Sequence, residues 1–499
     1  MYGSVSPNEN DGSSQQAQRK NALGNSNSHP NPLSLNDALL GHDDEESSTK
    51  RLGKATISSC VLNLVNTIVG AGMLGLPGAF GGSGSIGGSL LLLLGAIFSA
   101  HGLLLLARAA LIANHKANQP SSFYSVASLA LPQYTILIDL AVALKCFGVA
   151  TGYLIIVSEA MTDVMSSTIK AIHSSDEYVM SGFETLLKAR QFWVLLAVLS
   201  VLPVSFFRAF HKLSKASAVA LAFVGMLVIG IVAHAQGWAE PCPNEEDTCQ
   251  GDIEQFTSLP RTLVKLPIFV FSFTCHQNIF PVVNELKDPT PARISLVIFT
   301  SIFSALVIFW IVALEGYRTY GDNVKGDVLL NYPLTPFVTI LRICIAGMLT
   351  LHYPLQLDPS RKCLSSLIRE IRLLWRQKFS TPQEESSVRV PEIHLTNHDG
   401  SPIEQEYQQS DLEFFTLTMI FLLGSVSIAW RVTDLGLVLA LVGATGSTSI
   451  SYILPGLLYL GIATEASRIR RGLAYVHLAL GLLILPLALY FVIRGSLKH

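Results

Sequence analysis

Two short strings gather polar side chains and helix breakers inside apolar surroundings in this sequence. Residues 63–77 read NLVNTIVGAGMLGLP, and residues 267–286 read PIFVFSFTCHQNIFPVVNEL. In the first, Asn66 and Thr67 precede Gly70, Gly72, Gly75 and Pro77. Glycine weakens a helix, and a proline removes a backbone donor and clashes with the preceding turn. An unwound stretch there would offer amide N–H groups to an anion and carbonyls to a cation. Close helix packing is the other use of such glycines. Asn66 and Thr67 favour unwinding, because two polar side chains in an apolar segment are costly unless they bind something. In the second string Ser272, Thr274, His276, Gln277 and Asn278 cluster ahead of Pro281. A lone histidine on an apolar helix is usually a satisfied core residue. His276 stands among four other polar groups, which points to a binding or pathway role.

The elements that must position these strings follow from composition. Of 499 residues only 14% are charged, against about 25% in an ordinary soluble domain. Segments 1–54 and 358–411 hold a large share of those charges, and the rest is mostly long apolar runs with a mean hydropathy of +0.44. This excludes a soluble globular protein, a fibre and a disordered regulator. A net charge of −2 with no basic patch argues against nucleic acid as a partner. The sequence reads as an all-α polytopic membrane protein in a lipid bilayer. Eleven spans fall near 55–80, 86–110, 134–162, 191–208, 213–235, 263–284, 292–316, 336–357, 412–430, 434–460 and 473–494. Continuous apolar runs without period-2 alternation favour helices over barrel strands. Loop charge supports the count: with a cytosolic N-terminus, twenty Lys and Arg fall in inside loops and nine outside. The C-terminus then lies in a lumen or outside the cell.

Segment 1–54 reads as a disordered cytosolic tail and 358–411 as a cytosolic loop. Tyr2-Gly3-Ser4-Val5 and Leu39-Leu40 look like sorting strings, although a plain tail explains them too. Of seven cysteines, Cys242 and Cys249 flank the acidic segment PNEEDT in a polar loop. If that loop faces an oxidising compartment, they suit a disulfide. No Cys/His spacing suggests zinc. Lys145, six residues after Asp139, would pair with an acid, move protons or snorkel to the interface, with pairing or snorkelling preferred. Glu159 and Glu315 read as interfacial, and Arg342 as an anchor or gate. Segment 361–378 is either an amphipathic helix on the anionic leaflet or an extension of the eighth span. No nucleophile, metal or phosphate motif sits at a span end, so an enzyme is the remote alternative.

With these residues in view, NLVNTIVGAGMLGLP resembles the first span of the amino acid/auxin permease superfamily, and FSFTCHQNIFPVVNEL resembles its sixth. Glu315-Gly316-Tyr317-Arg318-Thr319-Tyr320-Gly321, then Arg342, Pro354, Pro359 and Arg361, then Gly443 and Pro455-Gly456 match in order across 55–495. The chain is most similar to the neutral amino acid branch, which includes sodium-coupled plasma-membrane members and proton-linked vacuolar or lysosomal ones. The resemblance implies a leucine-transporter-like fold of eleven helices: a 5+5 inverted repeat with discontinuous first and sixth helices. The repeats would cover about 55–235 and 263–460, with an extra helix at 473–494. The sequence departs from the pattern at Gly78, where a bulky residue is usual, and continues GAFGGSGSIGG.

The resemblance also places roles. An amino acid substrate would meet the backbone of Gly70, Ala71, Gly72 and Met73, with Asn66, Thr67, Phe273 and His276 around the same cavity. A cation site would use Asn66, carbonyls near Val69, and Thr350 or His352; the hydroxyl suits Na⁺ and the imidazole suits H⁺. No metal beyond such a Na⁺, and no cofactor beyond a coupling H⁺ or Na⁺, is expected. The expected function is secondary active transport of small, neutral amino acids. The alternative is a membrane sensor that binds an amino acid in the same site.

Overall fold

The computed structural model describes residues 53–117, 120–173, 181–206, 214–240, 242, 249–379 and 410–497. The N-terminal tail with Tyr2–Val5 and Leu39-Leu40, the acidic stretch 243–248 and segment 380–409 lie outside the described residues. Sixteen α-helices are used below. α1 is Ile57–Ile68, α2 Ala71–Ser83, α3 Ser85–Ala117, α4 Phe123–Ala130, α5 Thr135–Ile172, α6 Gly182–Lys188, α7 Arg190–Ser205 and α8 Ser214–Ala235. They continue with α9 Leu259–Ser272, α10 Ile279–Glu285, α11 Pro291–Tyr320, α12 Pro336–Phe379, α13 Asp411–Arg431, α14 Leu435–Val442, α15 Leu454–Ile462 and α16 Arg468–Ser496.

Among the described residues, eight helices are long and apolar enough to cross a membrane, or ten if two bent pairs each count as one span. The pairs are α1 with α2, bent by 52°, and α6 with α7, bent by 74°. Ala220–Ala235 is a shorter apolar helix. The outward faces show what solvent these helices are built for. On α11, Leu296, Phe299, Phe303, Val307 and Trp310 are exposed at three- and four-residue spacing, while Val297, Ile298, Ser301 and Ala305 are buried. A large apolar stripe on the outside is a fault in water and the rule in lipid. The chain is a multi-pass membrane protein.

The helices pack in two groups. One contains α1, α2, α3, α9 and α11. The other contains α5, α7, α12 and α13, with α5 and α12 in the most extensive contact. α14 touches both, against α9 and α5. Its continuation is two π-helical turns, Gly443–Ser447 and Ser449–Ile453. Two glycines there permit close approach: a Cβ at Gly443 would lie 2.0 Å from the Pro267 carbonyl oxygen, and one at Gly446 2.6 Å from Lys145 Cβ.

Two expectations from the sequence are refined. The first span breaks at Val69-Gly70, before Gly72, Gly75 and Pro77, all of which lie inside α2. Pro77 packs where Gly316 leaves room, since a Cβ there would stand 2.9 Å from the proline ring. Gly78 faces the backbone of Lys325, whose carbonyl would lie 2.8 Å from an added Cβ, which accounts for the missing bulky residue. Of the segment 358–411 expected as a loop, residues through Phe379 instead continue α12, so the extension of the eighth span is the outcome. At about 1.5 Å per residue its 44 residues run about 66 Å, twice the hydrocarbon core.

Candidate functional site

α1 ends at Ile68 and α2 starts at Ala71, with Gly70 as its N-cap and no side-chain cap. The first N–H groups of a helix and the last carbonyls of another have no partner within their own helix. At this break, α1 therefore brings carbonyls and α2 brings amides to one place. The macrodipoles add partial negative charge at the end of α1 and partial positive charge at the start of α2. A second break faces the first. α9 ends at Ser272, Phe273 and Thr274 are non-helical, and a 3₁₀ turn His276–Asn278 leads into α10. Two contacts hold the breaks together. Asn278 Nδ2 donates to Thr67 Oγ1 at 2.6 Å. A β-bridge joins Ala55 to Leu286, with Ala55 N donating to the Glu285 carbonyl at 2.8 Å. Gly72 sits at the tightest approach, where a Cβ would be 3.0 Å from Ser272 Cα and 3.2 Å from the Phe271 ring.

Between the breaks lies a small cavity of about 20 Å³, room for little more than one water molecule. One wall is Thr67, Ile68, Gly70, Ala71 and Gly72 with Phe271, Ser272 and Thr274; the other is Lys145, Val149 and Tyr153 of α5 with Gln356 of α12. The cavity thus lies between the two helix groups. Lys145 is its one charged lining residue, 3% exposed, and no ion pair or hydrogen bond to it occurs among the described residues. Asp139 does not reach it, being directed to Cys363 and Ser366. Lys145 therefore neither pairs with Asp139 nor snorkels, against the preferred expectation. Gln356 hydrogen-bonds Tyr153 but keeps its Oε1 buried without a partner.

The residues singled out from the sequence divide accordingly. Thr67, Gly70, Ala71 and Gly72 line the cavity. Asn66, Val69 and Met73 are buried beside it but do not line it. Phe273 turns its ring onto Phe309, with centroids 5.2 Å apart, and its carbonyl accepts from Ser99 Oγ at 2.9 Å. His276 points away from the cavity, to Ser451 Oγ at 3.1 Å. Thr350 Oγ1 donates to the Ala346 carbonyl, and His352 is buried one turn from Gln356 on the same face of α12. Cys242 and Cys249 are joined in a disulfide. Lys145, Val149, Tyr153 and Gln356 were not identified as site residues from the sequence. The available signal was the four-residue spacing of the first three on one face of α5.

Away from the cavity, Arg342 is fully buried and tied to Asp163 at 2.8 Å, and it donates to the Leu329 and Tyr332 carbonyls. Glu159 has a buried oxygen without a partner among the described residues, so it is not simply interfacial. Glu315 pairs with Arg318 at 3.5 Å.

Facing helix breaks inside a multi-pass bundle are a recurring feature of membrane transporter folds. The chain belongs to the family of transmembrane amino acid transporter proteins, which it matches over residues 53–494. It is 32% identical to vacuolar amino acid transporter 5 of Schizosaccharomyces pombe over 414 residues, covering 82% of this chain and 85% of that one. It is also 32% identical to vacuolar amino acid transporter 6 of Saccharomyces cerevisiae over 423 residues, covering 82% of this chain and 91% of that one. Among solved structures it is similar to Mhp1, a nucleobase-cation-symport-1 family transporter, at a TM-score of 0.48 and 12% identity, covering 89% of this chain and 94% of that one. The protein is a transporter rather than an enzyme.

Proposed function

We propose that this chain is a secondary active transporter that moves small neutral amino acids by alternating access, coupled to H⁺ or Na⁺, with no other cofactor. The observation that carries the proposal is the charge arrangement of the cavity. The substrate carboxylate meets the N–H groups of Ala71 and Gly72 together with the Lys145 ammonium, and the substrate ammonium meets the carbonyls that end α1 and α9. With Lys145 engaged by the carboxylate, no charged group remains in the lining for a charged substrate side chain, which favours neutral amino acids.

The helix grouping supports a 5+5 inverted repeat. Counting both bent pairs and Ala220–Ala235 as spans gives eleven. In that count one group is spans one, two, six and seven, and the other is three, four, eight and nine, so each member has its partner five spans away. A Na⁺ version of the coupling would draw on Asn66, the Val69 carbonyl and Thr350, and a proton version on an imidazole. The vacuolar relatives favour the vacuolar or lysosomal membrane over the plasma membrane, with the N-terminus cytosolic and the Cys242–Cys249 loop and C-terminus luminal.

Purified protein in proteoliposomes tests this. Uptake of labelled neutral amino acids under an imposed H⁺ or Na⁺ gradient is expected. Absence of uptake under both gradients would refute the reading.

A further inference from the structure

Without substrate, the cavity lining gives a lysine ammonium little to hold. Lys145 is 3% exposed, and a cavity with room for little more than one water falls far short of the hydration an ammonium keeps in bulk. The hydroxyls of the lining are engaged elsewhere. Thr67 Oγ1 donates to the Asn63 carbonyl at 3.0 Å and accepts from Asn278 Nδ2 at 2.6 Å. Ser272 Oγ donates to the Ile268 carbonyl at 2.8 Å, and Thr274 Oγ1 pairs with the Val270 carbonyl and with Ser451 Oγ. Gln356 Oε1 is buried without a bond. The root of the lysine is packed against the π-helical turn, where a Cβ on Gly446 would stand 2.6 Å from Lys145 Cβ and 2.7 Å from its Cα. A fully buried lysine in such surroundings sheds its proton at neutral pH.

We infer that Lys145 carries the coupling proton: it is a neutral amine without substrate and becomes an ammonium only when a substrate carboxylate enters beside it. This rests on the transport reading above and names H⁺ as its coupling ion, with an amine of the lining in place of an imidazole as the site. A zwitterion and one proton enter from the open side. The proton adds to the Nζ lone pair, no bond of the substrate breaks, and the complex holds one positive charge more than the protein did before. On the other side the carboxylate leaves, and the ammonium, again without a partner, returns its proton to water.

The neighbours leave this role to Lys145. Of the residues that line the cavity only Lys145 and Tyr153 titrate, and a phenol ordinarily does so at about pH 10. Cys146 and Cys275 are the titratable groups that act on Lys145, and His276, turned to Ser451, is acted on by it. α2 has no titratable side chain, the π-helical turns have only Tyr452, stacked on His477, and His352 on α12 is outside the lining. No carboxylate stands in the lining. A proton without substrate would make a buried unpaired cation, and a carboxylate without the proton a buried anion held by amide dipoles alone. Substrate and proton therefore each favour the binding of the other, and the linkage is reciprocal.

The test uses the purified full chain in weak buffer with a pH-sensitive dye and a labelled mixture of neutral L-amino acids. At mildly alkaline pH, wild type should take up about one proton per amino acid bound, and its affinity should fall about tenfold per pH unit. Lys145→Met, checked for folding by its melting curve, should bind more weakly, take up no proton and show a flat pH profile. Lys145→Arg, whose guanidinium stays charged, should likewise bind without proton uptake. In Na⁺-free proteoliposomes a pH gradient should drive accumulation by wild type and at least tenfold less by Lys145→Met. Wild type that binds without taking up a proton, or Lys145→Met that still takes one up, overturns the proposal and leaves transport standing. The wild-type proton count needs no variant, so it decides even where Lys145→Met fails to bind. Absence of uptake under both H⁺ and Na⁺ gradients removes the transport reading and this proposal with it.

Discussion

Replacing Lys145 by methionine separates a binding role from a structural one, because the two predict opposite signs. The ammonium is buried, lines the cavity and has no partner among the described residues. A lysine buried without a partner either bears a desolvation penalty of several kcal/mol as an ammonium or escapes part of it by releasing its proton, and both cost stability. Methionine keeps the length and removes the charge, so the ligand-free protein should melt at a higher temperature than wild type. The bound state behaves oppositely. A hydrogen bond to a charged group contributes about 1.5–3 kcal/mol, and about 1.4 kcal/mol is a factor of ten in affinity. Lys145→Met should therefore weaken binding of neutral amino acids by roughly 10- to 150-fold. Equilibrium binding of a labelled amino acid and a melting curve with and without it measure both effects on one sample. As a control, an amine lacking the carboxylate should bind wild type and variant alike. Affinity within twofold of wild type, or a lower melting temperature for the empty variant, would refute the assignment of Lys145 to the carboxylate.

Gly72→Ala forces a Cβ to 3.0 Å from Ser272 Cα, and overpacking of this kind costs about 1–3 kcal/mol; the loss should fall on substrate affinity as well as melting temperature, because α2 and α9 form the cavity wall. Arg342→Met abolishes the ion pair to Asp163 and leaves the Leu329 and Tyr332 carbonyls without their donor; at about 1–3 kcal/mol per unsatisfied buried group, the melting temperature should drop clearly while binding by the folded fraction is kept. The Cys242–Cys249 link closes a loop with a sequence separation of seven, so its reduction should cost about 2–3 kcal/mol in a chain-entropy account, and a thiol-reactive label should add twice more per chain after reduction than before.

Much of the fold was legible because lipid imposes it: where the solvent cannot hydrogen-bond, a span is a helix or a strand of a closed barrel, and continuous apolar runs near 20 residues select the helix. The breaks were legible for a related reason. Asn66, Thr67, Gly70 and Gly72 in one run, and Ser272 through Asn278 in another, make no sense as uninterrupted helix in hydrocarbon. The position of the first break was less clear, since Pro77 looks like the breaker. Pro77 instead lies inside α2, with its ring packed where Gly316 leaves room. The scaffold side of the cavity was harder. Lys145 and Asp139 are close in sequence but six residues apart on a helix, which turns them about 240° from one another. The spacing of Lys145, Val149 and Tyr153 placed them on one face, but not which neighbour that face would meet. His101 on α3 and His477 on α16 meet with their Nδ1 atoms 3.3 Å apart, and nothing local in the sequence announces that.

That the cavity has walls from both helix groups gives the proposed alternating access its driving interaction. A ligand shifts an equilibrium between two arrangements only by the difference in its affinity for them. Taking the arrangement from 1:99 to 99:1 requires about 5.5 kcal/mol of such difference. The amides of Ala71 and Gly72 belong to one group, and Lys145, Tyr153 and Gln356 belong to the other. A ligand that touches only the amides binds without preferring either arrangement, whereas a carboxylate that bridges them to Lys145 contributes about 1.5–3 kcal/mol to the closed one. The rest must come from the Tyr153 and Gln356 side, where the unpartnered Gln356 Oε1 is the acceptor available to the substrate ammonium. An amino acid amide keeps the ammonium but loses the charged carboxylate. It should therefore bind more weakly and, when bound, close the protein less completely. Distance measurements between labels on α2 and α5, with acid and with amide at saturation, read this directly. Equal closure by both would mean that the bridge through Lys145 does not drive the change.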